Sequence, residues 1–150
     1  MPALASRRTE LDLCAREILD VLPLGTRWLR AAVRRRQPSW SLPQLHTLGF
    51  LQRHPGASLS DLAAHLGVGL PTASTLVTRL VGVGLVDRHD DPAERRRTVL
   101  SLTVEGAAQF DAAIAAGRDE LTGRLRSLRP GELRQVMDAL ALLRGLFNDA

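Results

Sequence analysis

The chain has 150 residues, of which 45% are hydrophobic and 24% charged, and its formal net charge at pH 7 is +4. These values are typical of a folded domain and exclude a chain that is disordered throughout. No apolar run approaches the roughly 20 residues of a membrane span, and the N-terminus lacks the apolar stretch of a signal peptide. The one cysteine, Cys14, cannot form an internal disulfide. We therefore expect a single domain over residues 1–150, located in the cytoplasm and not in a membrane.

All 20 basic residues are arginines. The planar guanidinium can bind a phosphate or a guanine edge through two donors at once. A composition without lysine is also what GC-rich coding produces, and this is the simpler explanation of the overall count. The positions of the arginines are therefore more informative than their number.

Apolar residues at three- and four-residue steps predict a long first helix over residues 9–36 and a second helix over residues 42–54. Ser58 to Asp61 has the shape of a capping box and predicts the start of a third, short helix. Gly67 is expected to end that helix.

A fourth helix is predicted over residues 70–83, with a buried apolar stripe along one side. Its outer face is small and polar, and it consists of Thr72, Ser74, Thr75, Thr78 and Arg79. Such a surface can approach base edges and phosphates closely. For this helix taken alone, an ordinary solvated face is the simpler interpretation.

Two strands are predicted next, over residues 85–88 and 98–102, and a long polar loop joins them. The loop contains three consecutive arginines and several carboxylates, namely Asp90, Asp91, Glu94, Arg95, Arg96 and Arg97. One interpretation is a surface hairpin held by ion pairs. The other is a wing in which Asp91 and Glu94 orient the arginines toward a narrow, electronegative minor groove of DNA.

The C-terminal part is helical again, with one helix from Val104 to about Leu128 and another from Pro130 onward. These helices and the first helix carry more apolar surface than a compact winged helix needs. The surplus predicts a dimer interface formed by both ends of the chain.

Several short sequence matches accompany this order of elements. They are Leu62-Ala63, Leu66-Gly67, Pro71-Thr72, Arg79-Leu80, Gly84-Leu85-Val86, Asp91-Pro92-Ala93-Glu94-Arg95-Arg96, and Leu102-Thr103 followed by Gly106. In their order and spacing they resemble the MarR family of bacterial regulators, over nearly the whole chain. The resemblance implies a mainly α fold with a small β-hairpin wing, that is, a winged helix-turn-helix lobe at residues 42–103. Residues 9–36 and 104–148 would be the dimerisation helices.

The resemblance also implies a homodimer that binds a pseudo-palindromic operator in double-stranded DNA, with the helix from Leu70 as the recognition helix. The implied DNA-binding residues are Thr72, Ser74, Thr75, Thr78, Arg79, Arg95, Arg96 and Arg97. Arg96 would enter the minor groove, and Glu94 takes the place of the aspartate that usually orients this arginine. Two further departures, Gly69 as N-cap and Thr75 on the outer face, affect the expected operator sequence and affinity.

A small-molecule effector site is the last feature that the resemblance implies. Trp28, His46 and Phe50 would line a pocket between the dimerisation helices and the DNA-binding lobe. The alternative is that Trp28 and Phe50 are core residues and that His46 is a hydrogen-bonded helix residue, which is the commoner role of such positions.

Other chemistry has little support in the sequence. The resemblance also suggests a thiol redox sensor at Cys14, because one branch of the family senses organic hydroperoxides through an early cysteine. That branch uses tyrosines to activate the thiol, and this chain has none. A cysteine on an apolar helical stripe is more often inert core. The four histidines have no metal-ligand spacing, no glycine-rich phosphate loop or nucleophile elbow is present, and no cofactor or enzymatic activity is expected.

The leading hypothesis is therefore a dimeric, sequence-specific DNA-binding regulator that acts as a repressor and is released by a small ligand. A winged-helix module that binds a ligand or a protein without binding DNA is the alternative from another class. Redox sensing through Cys14 is the third.

Overall fold

The computed structural model describes residues 2–90 and 98–148, with side chains described for residues 7–89 and 98–147. Within these ranges the chain forms six helices and three short strands. In chain order they are α1 (Pro2–Arg36), α2 (Leu42–Arg53), β1 (Ala57–Ser58), α3 (Leu59–Leu66), α4 (Leu70–Gly82), β2 (Val86–Asp90), β3 (Thr98–Leu102), α5 (Val104–Leu125) and α6 (Pro130–Asn148). The mainly helical fold with a small antiparallel sheet confirms the predicted fold class.

The segment from α2 to β3 supplies most of a continuous apolar core, to which Val33 of α1 and Phe110 and Ala113 of α5 also belong. Its sheet has the order β1-β3-β2, and both pairings are antiparallel. The largest side chains that are completely or almost completely buried come from all of its longer elements. They are Leu48, Leu51, Leu62, Val77, Leu80, Val86 and Leu100. We call residues 42–102 the winged-helix lobe.

Local signals in the sequence explain where the helices of this lobe begin and end. Ser41 and Ser58 both form capping boxes, with Gln44 and Asp61 respectively at the third helical position. Each box satisfies backbone N–H groups that the first turn of a helix would leave without partners. Gly67 ends α3 at a φ of 65°, a left-handed conformation that glycine adopts without steric cost. These caps confirm the predicted starts of α2 and α3.

The terminal helices bury far less of their apolar surface. The C-terminal part of α1 packs on α5, where Ala32 lies 3.8 Å from the position that a Cβ on Gly117 would occupy. In contrast, α6 contains no buried residue among those described. Its Met137, Leu140 and Leu142 are 60%, 56% and 72% exposed. Much of the apolar surface of α6 and of the N-terminal half of α1 is therefore exposed within the described part of this chain.

The structure differs from the sequence-based boundaries at several points. Helix α1 begins at Pro2, which is earlier than predicted, and strand β1 was not predicted. Strand β2 begins at Val86, because the N–H of Leu85 donates to the carbonyl of Leu80 and so closes the end of α4. Cys14 is exposed on α1, so the interpretation of this thiol as buried core is wrong for the single chain. None of the described helices is long and apolar enough to cross a bilayer.

Candidate nucleic-acid interface

Helix α4 exposes the small polar face that its sequence predicts. Its apolar residues Ala73, Val77 and Leu80 are completely buried in the winged-helix lobe. On the opposite side, the exposed residues are Thr72, Thr75, Thr78 and Arg79, and Ser74 is half-buried. We call these five residues the α4 outer face. No long apolar side chain belongs to it, so hydrogen-bond donors and acceptors can approach a binding partner closely.

The N-terminus of α4 lacks a side-chain cap. Gly69 is the N-cap, with extended backbone angles (φ −70°, ψ 155°), and Pro71 lies in the first turn. The hydroxyl of Thr75 donates to the carbonyl of Pro71 at 3.0 Å. Its hydrogen is therefore engaged within the helix, while its oxygen remains an acceptor. A base contact of Thr75 would consequently use the hydroxyl oxygen as acceptor or the methyl group.

A tight turn holds α3 against α4. The N–H of Val68 donates to the carbonyl of Ala63 at 3.1 Å, and the N–H of Gly67 donates to the same turn of α3. The half-buried Leu66 packs on the core between the two helices. The two helices are thus joined by a glycine turn in the arrangement of a helix-turn-helix unit, with α4 as its second helix.

An open depression lies beside the α4 outer face. It has a volume of about 390 Å³ and is lined by Thr72, Thr75, Leu76 and Arg79 from α4 and by Ser41 and Pro43 at the start of α2. The guanidinium of Arg79 is the charged group in this lining. The depression therefore offers hydroxyl groups and one positive charge on the same side of the lobe.

The wing strands are described, and the loop at their tip is not. Strands β2 and β3 pair in continuous register from Val86 opposite Leu102 to Asp90 opposite Thr98. The predicted tip residues Asp91, Glu94, Arg95, Arg96 and Arg97 lie outside the described residues, so their predicted roles remain predictions. A side-chain hydrogen bond of 2.9 Å joins His89 Nε2 and Ser101 Oγ across the two strands.

The base of the wing is fixed by a hydrogen-bonded corner that the sequence only partly indicated. Thr103 caps α5, accepting from the N–H of Gly106 at 2.8 Å, and its hydroxyl donates to the carbonyl of Gly84 at 2.7 Å. A Cβ on Gly106 would lie 2.0 Å from the carbonyl oxygen of Leu85. Only glycine fits this contact, which sets the position of the wing strands relative to α5.

A second candidate site is a small cavity between the winged-helix lobe and the terminal helices, with a volume of about 150 Å³. It is lined by Leu29 from α1, by Leu45, His46, Gly49 and Arg53 from α2, by His65 from α3, and by Phe110 and Ile114 from α5. We call this space the junction cavity. Of its lining, the sequence predicted His46 only.

Of the three residues predicted for the effector pocket, His46 lines the junction cavity, whereas Trp28 and Phe50 do not belong to its lining. His46 is exposed and lines the junction cavity. Phe50 is buried, and its ring contacts the rings of His54 and His65, with centroid distances of 4.8 and 4.5 Å. Trp28 lies on α1, and its side chain is one of the groups that lower the pKa of Glu120 on α5. The predicted roles of these residues in binding a ligand remain predictions.

Comparison with known proteins agrees with this architecture. A family model described as MarR family matches residues 41–97. The HTH-type transcriptional repressor NicR of Pseudomonas putida is 32% identical over 109 residues, which cover 68% of this chain and 69% of NicR. The HTH-type transcriptional regulator YfiV of Bacillus subtilis is 27% identical over 149 residues, which cover 98% of this chain and 89% of YfiV.

The same similarity holds in three dimensions. The crystal structure of RV1404 from Mycobacterium tuberculosis superimposes with a TM-score of 0.83 at 25% identity, covering 92% of this chain and 94% of RV1404. No group of three or more potential metal ligands occurs in the described part of the chain. On the family match, the related sequences and the common fold, this chain belongs to the MarR family and is a DNA-binding, helix-turn-helix transcriptional regulator, not an enzyme.

Proposed function

We propose that the protein is a homodimeric repressor that binds a pseudo-palindromic operator and leaves it when a small ligand binds. The observation that carries this proposal is the α4 outer face, where small hydroxylated side chains and Arg79 project from a helix whose other side is completely buried. A helix with this division can enter a major groove without exposing core residues. Such a regulator acts on the chromosome of a bacterial cell, which corresponds to a cytoplasmic location.

The wing is a second element that supports the same proposal. Strands β2 and β3 pair from the base of the wing, next to Thr103 and Gly106, up to Asp90 and Thr98, and the arginine-rich sequence 91–97 connects these two residues. We propose that Arg96 enters the minor groove next to the site of α4 and that Asp91 and Glu94 orient it. Arg95 and Arg97 would neutralise phosphates on either side.

The exposed apolar side chains of α1 and α6 support the proposed dimer. An exposed apolar side chain occurs at nearly every turn of α6, and Leu11, Leu19 and Val21 of α1 are 62%, 67% and 58% exposed. Apolar surfaces of this extent mark protein interfaces. A second copy of this chain presents the same surface, so a twofold axis would cover both copies at once. The dimer would hold two α4 helices at one fixed spacing, as a palindromic operator requires.

The position of the junction cavity supports the proposal that a ligand releases the protein from its operator. It contacts α1 and α5, which we assign to the dimer, and also α2 and α3, which belong to the winged-helix lobe. A ligand in this cavity would alter the orientation of the lobes relative to the dimer, and with it the distance between the two α4 helices. The relative NicR carries the name of a repressor, which supports repression over activation.

The test begins with selection of bound sequences from random double-stranded DNA. On the selected site, Arg79→Ala should weaken binding by about 1–3 kcal/mol, as measured by fluorescence anisotropy at fixed salt, because a base or phosphate contact is lost. Arg134→Ala is the matched control, since it removes an exposed arginine from α6, away from α4. Equal weakening by both variants, or no enriched sequence at low salt, would contradict the proposal.

The wing is tested on the same DNA. Arg96→Ala should weaken operator binding strongly and leave the oligomeric state unchanged, as measured by anisotropy and light scattering. Unchanged affinity at matched salt would show that the wing assignment is wrong. A binding constant that falls steeply as the salt concentration rises is expected for the intact protein, because phosphate contacts release counterions.

A further inference from the structure

The amino acids of α4 limit how this helix can read a base. Helix α4 contains no asparagine, glutamine, lysine, aspartate or glutamate. In the major groove, asparagine and glutamine read adenine, lysine and arginine read guanine, and the two acidic side chains read cytosine. Arg79 is the one charged residue of α4, and it lies in the last turn. Apart from this guanidinium, the helix can offer a base only hydroxyl groups and apolar groups.

The first residue of α4 is an exposed leucine. Leu70 is 50% exposed, and it does not belong to the apolar core that the described residues form. Ala73 and Val77, one and two turns further along the helix, are completely buried in that core. The dimer interface that we propose lies on α1 and α6, so it does not account for Leu70 either. The side chain of Leu70 is therefore available to a partner of α4.

Two further apolar groups lie next to Leu70. Pro71 is exposed in the first turn of α4. The hydroxyl of Thr75 donates to the carbonyl of Pro71 at 3.0 Å, which places the two residues one turn apart on the same side of the helix. With its hydrogen engaged there, Thr75 can offer a base only its oxygen, as an acceptor, and its methyl group. We call Leu70, Pro71 and the methyl group of Thr75 the α4 apolar edge.

The position of this edge suits contact with bases. In helix-turn-helix proteins the N-terminal residues of the recognition helix contact the base edges, and Leu70 and Pro71 are the first two residues of α4. The N-cap Gly69 has no side chain that could obstruct the approach of a base. Thymine is the one DNA base with an apolar group in the major groove, its C5-methyl. The α4 apolar edge therefore matches thymine in its chemistry.

We propose that α4 reads its operator through thymine methyl groups, which Leu70, Pro71 and the methyl group of Thr75 contact in the major groove. The proposal rests on the function proposed above, because it specifies what the recognition helix reads. Each contact removes a thymine methyl group and part of an exposed apolar side chain from water, and this burial favours binding. Sequence preference would then depend on apolar contacts where α4 has no side chain for paired hydrogen bonds.

Replacement of thymine by uracil tests the proposal, because deoxyuridine pairs with adenine in the same way and lacks only the methyl group. The probe is the duplex selected from random DNA, in which each thymine of a half-site is replaced singly by deoxyuridine. Fluorescence anisotropy at fixed salt measures Kd for every duplex. At one or more positions of the half-site, we expect Kd to increase roughly fourfold, as the loss of one buried methyl group implies.

Leu70→Ala assigns this effect to a side chain. The substitution shortens an exposed side chain, leaves the buried side of α4 unchanged and introduces a residue that favours a helix. At the position that Leu70 contacts, the variant should bind the thymine and uracil duplexes with equal affinity. Val83→Ala is the matched control, because Val83 is 65% exposed at the opposite end of α4. It should prefer thymine as strongly as the unmodified protein does.

Two substitutions of Thr75 separate its methyl group from its hydroxyl. Thr75→Ser retains the hydroxyl and removes the methyl group, whereas Thr75→Val retains a methyl group and removes the hydroxyl. The preference for thymine over uracil at the position next to Thr75 should disappear in Thr75→Ser and persist in Thr75→Val. The reverse result would show that the oxygen of Thr75 reads the base as an acceptor, and it would contradict the assignment of the methyl group.

The outcomes separate this inference from the proposed function. Absence of any enriched sequence would contradict the proposed function itself. A selected operator without thymine in its half-sites, or one whose uracil duplexes all retain full affinity, would support sequence-specific binding and overturn the readout of thymine. Losses at uracil positions that are the same in Leu70→Ala, Thr75→Ser and the unmodified protein would also overturn it. The measurement on the unmodified protein needs no variant, so a variant that fails to fold leaves the test intact.

Discussion

The winged-helix lobe and the terminal helices use apolar residues in opposite ways. In the lobe, Leu62, Val77, Leu80 and Leu100 are completely buried within one chain. In α6 no described residue is buried, and several apolar side chains are more than half exposed, namely Met137, Leu140, Leu142, Leu146 and Phe147. The lobe can therefore fold on contacts within a single chain, whereas α6 gains little by folding against its own chain. This difference supports the dimer interface that we propose for α6.

The largest effect is expected from Leu140→Glu, which places a charge in the apolar surface of α6 and should weaken the proposed dimer. Leu140 is 56% exposed in the single chain, so the change should leave the lobe folded. At a dimer interface it should cost about 2 kcal/mol or more, which is about 30-fold in the dimer Kd. Analytical ultracentrifugation measures this shift, and Gln135→Glu on the same helix is the control for added charge.

If Leu140→Glu and Gln135→Glu sediment alike, α6 is not the interface, and the explanation of its exposed residues is wrong. Loss of helical circular dichroism in Leu140→Glu at high protein concentration would show that α6 also stabilises its own chain. Either result would mean that the winged-helix lobe and α6 do not use their apolar residues in the opposite ways described above.

A smaller effect is expected at the corner where the lobe meets α5. Gly106→Ala would place a Cβ 2.0 Å from the Leu85 carbonyl oxygen, so the base of the wing must move. Steric overpacking of this kind typically costs about 1–3 kcal/mol of unfolding free energy. Gly123→Ala on the same helix meets no atom within 4 Å and should stabilise the protein by roughly 0.5–1 kcal/mol, because alanine favours the helix.

Urea denaturation followed by circular dichroism compares these two variants. Gly106→Ala should also weaken operator binding, since the wing strands are displaced from α4. Equal stability of the two variants would mean that the Leu85 contact relaxes without cost and does not set the position of the wing.

The smallest effect concerns the ion pair that joins α1 to α5. Burial raises the pKa of the Glu120 carboxyl, but the charge and hydrogen bond of Arg35 outweigh it, and Trp28 and Arg124 add to them, so the pKa lies below its ordinary 4.5. A lowered carboxyl pKa stabilises the folded state above pH 4.5, and this stability is lost as the pH falls through the pKa of the folded state. The midpoint of thermal unfolding should therefore fall slightly less between pH 6 and pH 3 in Glu120→Gln than in the unmodified protein.

Matched acid profiles for Glu120→Gln and the unmodified protein would show that this pair is fully screened by solvent. Asp119→Asn is the control, since Asp119 is an exposed neighbour on the same helix. It should leave the acid limb unchanged.

Much of the fold could be predicted from the sequence because its signals are local. The capping boxes at Ser41 and Ser58, the threonine cap of α5 and the glycine after α3 all act within a few residues of their own position. The spacing of the apolar residues along α4 likewise determines which side of this helix is buried. These features require no knowledge of distant parts of the chain.

The features that were missed depend on residues far apart in the sequence. Strand β1 has two residues, and it exists because Ala57 and Ser58 pair with Leu100 and Val99. The junction cavity combines side chains from four helices, and neither Arg53 nor His65 has a distinctive neighbouring sequence. The close contact of Gly106 with Leu85 similarly arises only when α5 packs against the end of α4.

We propose that the terminal helices hold two α4 outer faces at one fixed spacing. Hydroxyl-radical footprinting on the selected operator tests it most directly. We expect two protected half-sites with centres about one helical turn, roughly 10–10.5 base pairs, apart, or a multiple of that distance, and loss of the paired protection in Leu140→Glu. A single protected half-site with the unmodified protein, or paired protection that persists in a monomeric Leu140→Glu variant, would show that the terminal helices do not hold two α4 helices at a fixed spacing.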